Sequence, residues 1–130
     1  MRCTWLRIST LPTALVLAGC GSGSAVSFAE PTDGEAMSSP VRVTMEATGF
    51  DVEPAGEVRE RAGHFHIMID TGCITPGQPI PSDAAHLHYG MAQSTAELPL
   101  PPGQHTLCLQ AGDGAHTALD LTNEITITVQ

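Results

Sequence analysis

The sequence predicts an all-β protein, an immunoglobulin-like β-sandwich of about five to seven short antiparallel strands. Three observations support this fold class. Apolar and polar residues alternate with a period of two at both ends of the region after residue 40, no window has a helical period, and turn residues divide the chain into short runs. A small barrel is the alternative architecture that the same pattern allows.

The amino-terminal stretch precedes the predicted domain. Residues 1–19 contain two arginines and a short apolar run, and the segment 17–20, Leu-Ala-Gly-Cys, resembles a bacterial lipobox. We therefore expect residues 1–19 to be a lipoprotein signal peptide and Cys20 to carry the lipid that anchors an exported protein to the bacterial cell membrane. An ordinary secretory signal with a chance cysteine is the alternative. Residues 20–40 are rich in Gly, Ser, Ala and Pro, a composition typical of a flexible tether.

A single β-sandwich domain is expected over residues 41–130. Its first strand alternates Val41, Val43 and Met45 with polar residues, and its last strand alternates in the same way over 124–129. Further short runs lie between these ends, and turn sequences separate them. Three prolines and a glycine in the segment 74–83 exclude a helix there.

The charge of the chain excludes one class of partner. Without the signal peptide, three arginines face fourteen acidic residues, and there is no lysine. Nucleic acid is therefore not expected as a partner, because its binding needs clustered cations. An acidic surface attracts cations instead. The pattern identifies no protein partner.

Two cysteines remain in the predicted domain, Cys73 and Cys108. In an exported protein they are expected to form one disulfide. Closing a loop of this length stabilises a small domain by about 4 kcal/mol. The alternative is that a cysteine is a ligand for copper or zinc.

All six histidines lie between residues 64 and 116, and four of them form two His-x-His pairs. The period of a strand places both members of a pair on one face, opposite apolar neighbours. If the two segments are neighbouring strands, four imidazoles line one patch that could bind copper or zinc. The candidate metal ligands are His64, His66, His86, His88, His105 and His116.

The last two histidines each follow a turn, so a structural role is an alternative for them. Asp113 could be a carboxylate ligand or could orient His116, although a turn-forming role is the simpler interpretation. Met68 and Met91 could be soft ligands for copper, but packing is the simpler interpretation for both.

Three segments carry a family resemblance: GHFHIMID (63–70), HLHYGMAQSTAELPLPPGQHTLCL (86–109) and GDGAH (112–116). They resemble the family known as domain of unknown function 4399, whose members are small exported bacterial proteins with histidine motifs. The resemblance spans residues 41–130 and implies a histidine at five of the six positions, His86 being an additional one. The two cysteines depart from the family pattern. The resemblance implies no activity.

The sequence therefore predicts an exported, membrane-anchored module that binds copper or zinc and is not an enzyme. The alternative is a non-catalytic structural or binding module of the cell envelope, with structural histidines or histidines that sense pH. Copper-zinc superoxide dismutase shares a β-sandwich, a His-x-His pair and a disulfide. However, this chain lacks the long loop with the bridging histidine and the zinc ligands of that enzyme.

Overall fold

The computed structural model describes residues 23–130, which form nine β-strands and contain no helix. The all-β prediction is confirmed for this part of the chain. More strands are present than predicted because two of them have only two residues and another lies before residue 41. The strands are β1 (Ala25–Glu30), β2 (Ala36–Met37), β3 (Val41–Thr48), β4 (Asp51–Val52), β5 (Ala62–Ile69), β6 (His86–Tyr89), β7 (Thr95–Leu98), β8 (Gly103–Gly112) and β9 (Ala118–Val129).

The strands form two sheets. The smaller sheet has the order β1-β3-β7, and the larger has the order β2-β9-β8-β5-β4, with β6 also paired to β5. The pairs β2–β9 and β4–β5 are parallel, so the expectation of purely antiparallel strands is wrong for these two short pairs. The larger sheet is curled like half a barrel, and the immunoglobulin-like form of the sandwich stays a prediction.

The main core lies between the two sheets. Strand β3 contributes Val41, Val43 and Met45, as its alternation predicts, and β5 contributes Phe65 and Ile67. All five side chains are buried, with at most 2% of their surface exposed. The inward face of β5 is therefore the apolar one, and its histidines point to the other side of the sheet.

The prediction of a flexible tether over residues 20–40 is wrong from residue 25 onward. Strand β1 pairs antiparallel with β3, and its Val26 and Phe28 are buried in the main core. The Gly and Ser residues around this segment dominate its composition and hide the short alternation within it. The signal peptide prediction, with Cys20, lies outside the described residues.

The outer face of β5 is also buried, because a covering loop of residues 70–82 crosses it. The disulfide between Cys73 and Cys108 confirms the predicted pairing and attaches the start of this loop to β8. The buried Gln110 side chain accepts a hydrogen bond from the backbone N–H of Ile74 and donates to its carbonyl, each at 2.8 Å. The loop packs on Met68 through Ile74 and Ile80 and lies beside His66.

No helix that could span a membrane is found among residues 23–130.

Candidate metal centre

Four histidine side chains meet on the outer face of the larger sheet: His64, His66, His88 and His116. Their ring centroids lie between 4.6 and 5.9 Å apart. We call this group the histidine cluster. The first three members each offer one ring nitrogen, and these nitrogens lie within 4.8 Å of one another. These three residues could hold a metal ion.

Strand pairing brings three members of the cluster together. His64 and His66 are two residues apart on β5 and therefore share a face, with ring centroids 4.8 Å apart. Strand β6 pairs antiparallel with β5 and places His88 directly opposite His66. The assumption that the two His-x-His segments are neighbouring strands is confirmed by this register.

The fourth member comes from the turn between β8 and β9. Asp113 Oδ1 accepts hydrogen bonds from the backbone N–H groups of Ala115 and Thr117, both at 2.9 Å. This turn holds His116 at a positive φ of 67°, a conformation that is uncommon for residues other than glycine. His116 Nε2 then lies 3.0 Å from His88 Nε2. Asp113 is a turn-forming residue, as the simpler interpretation predicted.

Burial distinguishes the two inner histidines from the outer ones. His64 and His66 are 0% and 1% exposed, and none of their four ring nitrogens has a hydrogen-bond partner. A buried polar atom without a partner costs about 1–3 kcal/mol. His88 is exposed and His116 half-buried. The cluster therefore has a closed inner side and an accessible outer side.

Burial and mutual repulsion keep the inner rings neutral. Burial, followed by the repulsion from His64, His88 and His116, lowers the pKa of His66 to about 3. Burial, followed by the repulsion from His88 and His116, lowers the pKa of His64 to about 4, although Asp113 opposes this shift. Burial and His116 also lower the pKa of His88. Neutral imidazoles have a free lone pair, which is the form that binds metals.

The structure does not bring His86 into the cluster. Its Nδ1 donates a hydrogen bond to Asp83 at 2.7 Å, and its Nε2 lies 3.5 Å from the Thr71 hydroxyl. In the strand register His86 lies opposite Met68, whereas His88 lies opposite His66, two residues earlier on β5. Its two ring nitrogens thus contact Thr71 of the covering loop and Asp83, the residue that follows the loop.

His105 also lies outside the cluster, and its contacts are structural. One ring nitrogen is 2.7 Å from Asp70 Oδ2 and the other is 2.8 Å from the Pro101 carbonyl oxygen. Both partners accept hydrogen bonds, so these two contacts favour the doubly protonated form of the ring. These two hydrogen bonds raise the pKa of His105. The ring ties the start of β8 to the end of β5.

Neither Met68 nor Met91 belongs to the group of described residues that could hold a metal ion. Met68 packs with Ile80, Cys108 and Ala118 in a second small core, which agrees with the packing interpretation. Met91 is 81% exposed, so the packing interpretation is wrong for this residue.

Two kinds of site residue were not found from the sequence. Gly112 leaves room for a ring, because a Cβ atom there would lie 2.8 Å from His66 Nε2. The covering loop contributes Ile80, Pro81 and Ser82, which line a cavity beside the cluster. Gly112 opens the segment GDGAH, which ends at His116 and is a readable signal, whereas the loop residues have no periodic pattern.

The fold and the cluster define an all-β domain with four converging histidines, of which the inner two are buried. A family model described as domain of unknown function (DUF4399) matches residues 43–130, and the chain belongs to this family. No curated protein and no solved structure matches the chain.

Proposed function

We propose that this protein binds one transition-metal ion, copper or zinc, at the histidine cluster. The observation that carries the proposal is the set of four unpartnered nitrogens on His64 and His66. Structural histidines in this same chain have partners, as His86 and His105 show. A bound metal ion would supply the inner rings with the partner that the protein does not provide.

The distances in the cluster favour a metal ion. Two imidazole nitrogens that bind one zinc ion at 2.0–2.1 Å in a tetrahedral arrangement lie about 3.3 Å apart. The His88–His116 nitrogen pair is 3.0 Å apart, and the nitrogens of His64, His66 and His88 lie within 4.8 Å. An ion would draw the nitrogens of His64, His66 and His88 closer together than they lie here. His116 would be the fourth ligand.

The proposed function is binding for delivery, storage or protection, without catalysis. The acidic composition, with fourteen carboxylates and no lysine, attracts cations to the protein. A purely structural cluster is disfavoured because the two inner rings make no hydrogen bonds that would hold the fold together.

The direct test is a titration of the purified, chelator-treated protein with copper(II) and, separately, zinc(II). We expect one ion per chain and a higher melting temperature, because a ligand at 1,000 times its Kd stabilises the folded state by about 4 kcal/mol. Isothermal titration calorimetry and metal analysis after dialysis measure the stoichiometry. The absence of stoichiometric binding at micromolar free metal would contradict the proposal.

Two variants on the same strand provide a matched comparison. His88→Ala removes an exposed ligand, and the affinity is expected to fall at least about a hundredfold, since even outer-shell changes cost 10- to 100-fold. His86→Ala, two residues away, leaves the cluster intact and should bind the metal as the wild type does. Equal affinities in the two variants would show that the ion binds elsewhere.

We further propose that the protein is exported and anchored to the bacterial cell membrane through a lipid on Cys20. The lipobox-like segment 17–20 supports this proposal, and the disulfide fits a compartment outside the cytoplasm. Mass spectrometry of the protein from the membrane fraction is expected to show a lipidated amino-terminal Cys20. In Cys20→Ala the protein should leave the membrane fraction, and membrane retention without a lipid would contradict the anchor.

A further inference from the structure

A cavity opens to solvent beside the histidine cluster. Its volume is ≈ 290 Å³, which is space for several water molecules. Three cluster members form one wall and the covering loop forms the other. The lining residues are His66, His88, His116, Ile80, Pro81 and Ser82.

We propose that the cluster, when it holds copper(II), leaves one coordination position of the ion open to this cavity, where a small exogenous donor molecule binds. The inference rests on the proposed metal-binding function. It adds that the site is open to a second ligand, in contrast to a structural metal site, whose positions are all filled by protein.

The position of the cavity relative to the cluster supports an open site. His64 is fully buried and is not among the residues that line the cavity, so it lies on the closed side. His66 is 1% exposed, lines the cavity and has no partner for either ring nitrogen. An ion between these rings therefore has protein on the side of His64 and free space on the side of the covering loop.

The cavity wall selects the class of ligand. Ile80 and Pro81 are apolar, and Ser82 brings a hydroxyl group that can donate or accept a hydrogen bond. The volume lies at the lower end of the range for small-molecule sites. The ligand is thus a molecule of few atoms with a lone pair for the metal, such as water or azide. Copper(II) would suit this arrangement, because four histidine nitrogens would leave it a further coordination position, whereas the same four rings would fill a tetrahedral zinc site.

Azide is the probe for the test. The purified protein is first loaded with copper(II), and metal analysis establishes the stoichiometry before any azide is added. Azide is then titrated while the absorption and electron paramagnetic resonance spectra are recorded. We expect a new azide-to-copper charge-transfer band and a changed copper resonance that both saturate with azide.

A variant that fills the cavity tests the location. Ser82 lies on an exposed part of the covering loop. The variant Ser82→Trp should bind copper with unchanged stoichiometry, but its affinity for azide should fall at least tenfold. Ser38→Trp, at an exposed position away from the cavity, is the control and should behave as the wild type.

The possible results separate the two proposals. Stoichiometric copper binding without any azide signal overturns the open position and leaves the metal site standing. Equal azide affinity in Ser82→Trp and wild type overturns the cavity as the place where azide binds. A protein that binds zinc but no copper overturns this inference alone, and one that binds neither metal overturns the proposed function as well.

Discussion

Lowering the pH from 7 to 4 should destabilise the metal-free protein by on the order of 5 kcal/mol, mainly through His64 and His66. Their pKa values are lowered in the folded state to about 4 and about 3, while the unfolded chain titrates near 6.5. The unfolded state therefore binds more protons below pH 6.5. The free energy of unfolding therefore decreases as the pH falls from 6.5 towards the folded pKa values. Urea unfolding at several pH values, with a chelator present, measures this effect.

A variant identifies the source of the pH dependence. In His66→Leu, the loss of stability between pH 7 and 4 should be about half that of the wild type, because one of two strongly shifted groups is gone. His105 acts in the opposite direction, since its raised pKa adds stability below pH 6.5 that is lost at higher pH. An unchanged pH profile in His66→Leu would show that the buried rings are not responsible.

Removing the disulfide should destabilise the protein by about 4 kcal/mol, the cost expected for opening a loop between residues 35 positions apart. The double variant Cys73→Ala with Cys108→Ala removes the cross-link. The same change frees the start of the covering loop, so metal affinity should also fall, although less than in His88→Ala, because Gln110 still holds Ile74. The midpoint of urea unfolding measures the stability.

Reduction of the wild-type protein is the control for this variant, because it breaks the cross-link without removing any side chain. Reduced wild type should unfold at a urea concentration well below that of the oxidised protein. If oxidised and reduced wild type unfold at the same midpoint, the disulfide contributes no stability.

The strand period predicted the inner part of the site correctly. It placed His64 and His66 on one face of β5, opposite Phe65 and Ile67, and the structure has this arrangement. The period applies because the apolar side chains of β5 pack between the two sheets, which fixes its orientation. The sequence leaves the pairing of β5 with β6 as an assumption, and the register confirms it.

The period could not identify which of the remaining histidines join the cluster. His86 and His88 share a face, but only His88 stands opposite His66, while His86 stands opposite Met68. Positions two apart on a strand differ by about 6.5 to 7 Å, so they reach different neighbours. His105 and His116 both follow turns, and only tertiary contacts decide between them.

The covering loop explains why the sequence does not predict the burial of the histidine face of β5. An alternating strand is expected to have one face in water, whereas both faces of β5 are buried. The loop has no periodic pattern, and its position depends on the Cys73–Cys108 bridge and on hydrogen bonds to Gln110. Contacts of this kind join residues far apart in sequence, so local patterns do not contain them.

The early start of β1 limits how far the domain could move from a membrane. If Cys20 carries a lipid, Ala25, where β1 begins, follows only five positions after it. A fully extended chain spans at most about 3.6 Å per residue, which gives a reach of about 18 Å. The domain would remain beside the bilayer surface, and a soluble carrier would have to approach that surface to exchange a metal ion with the cluster.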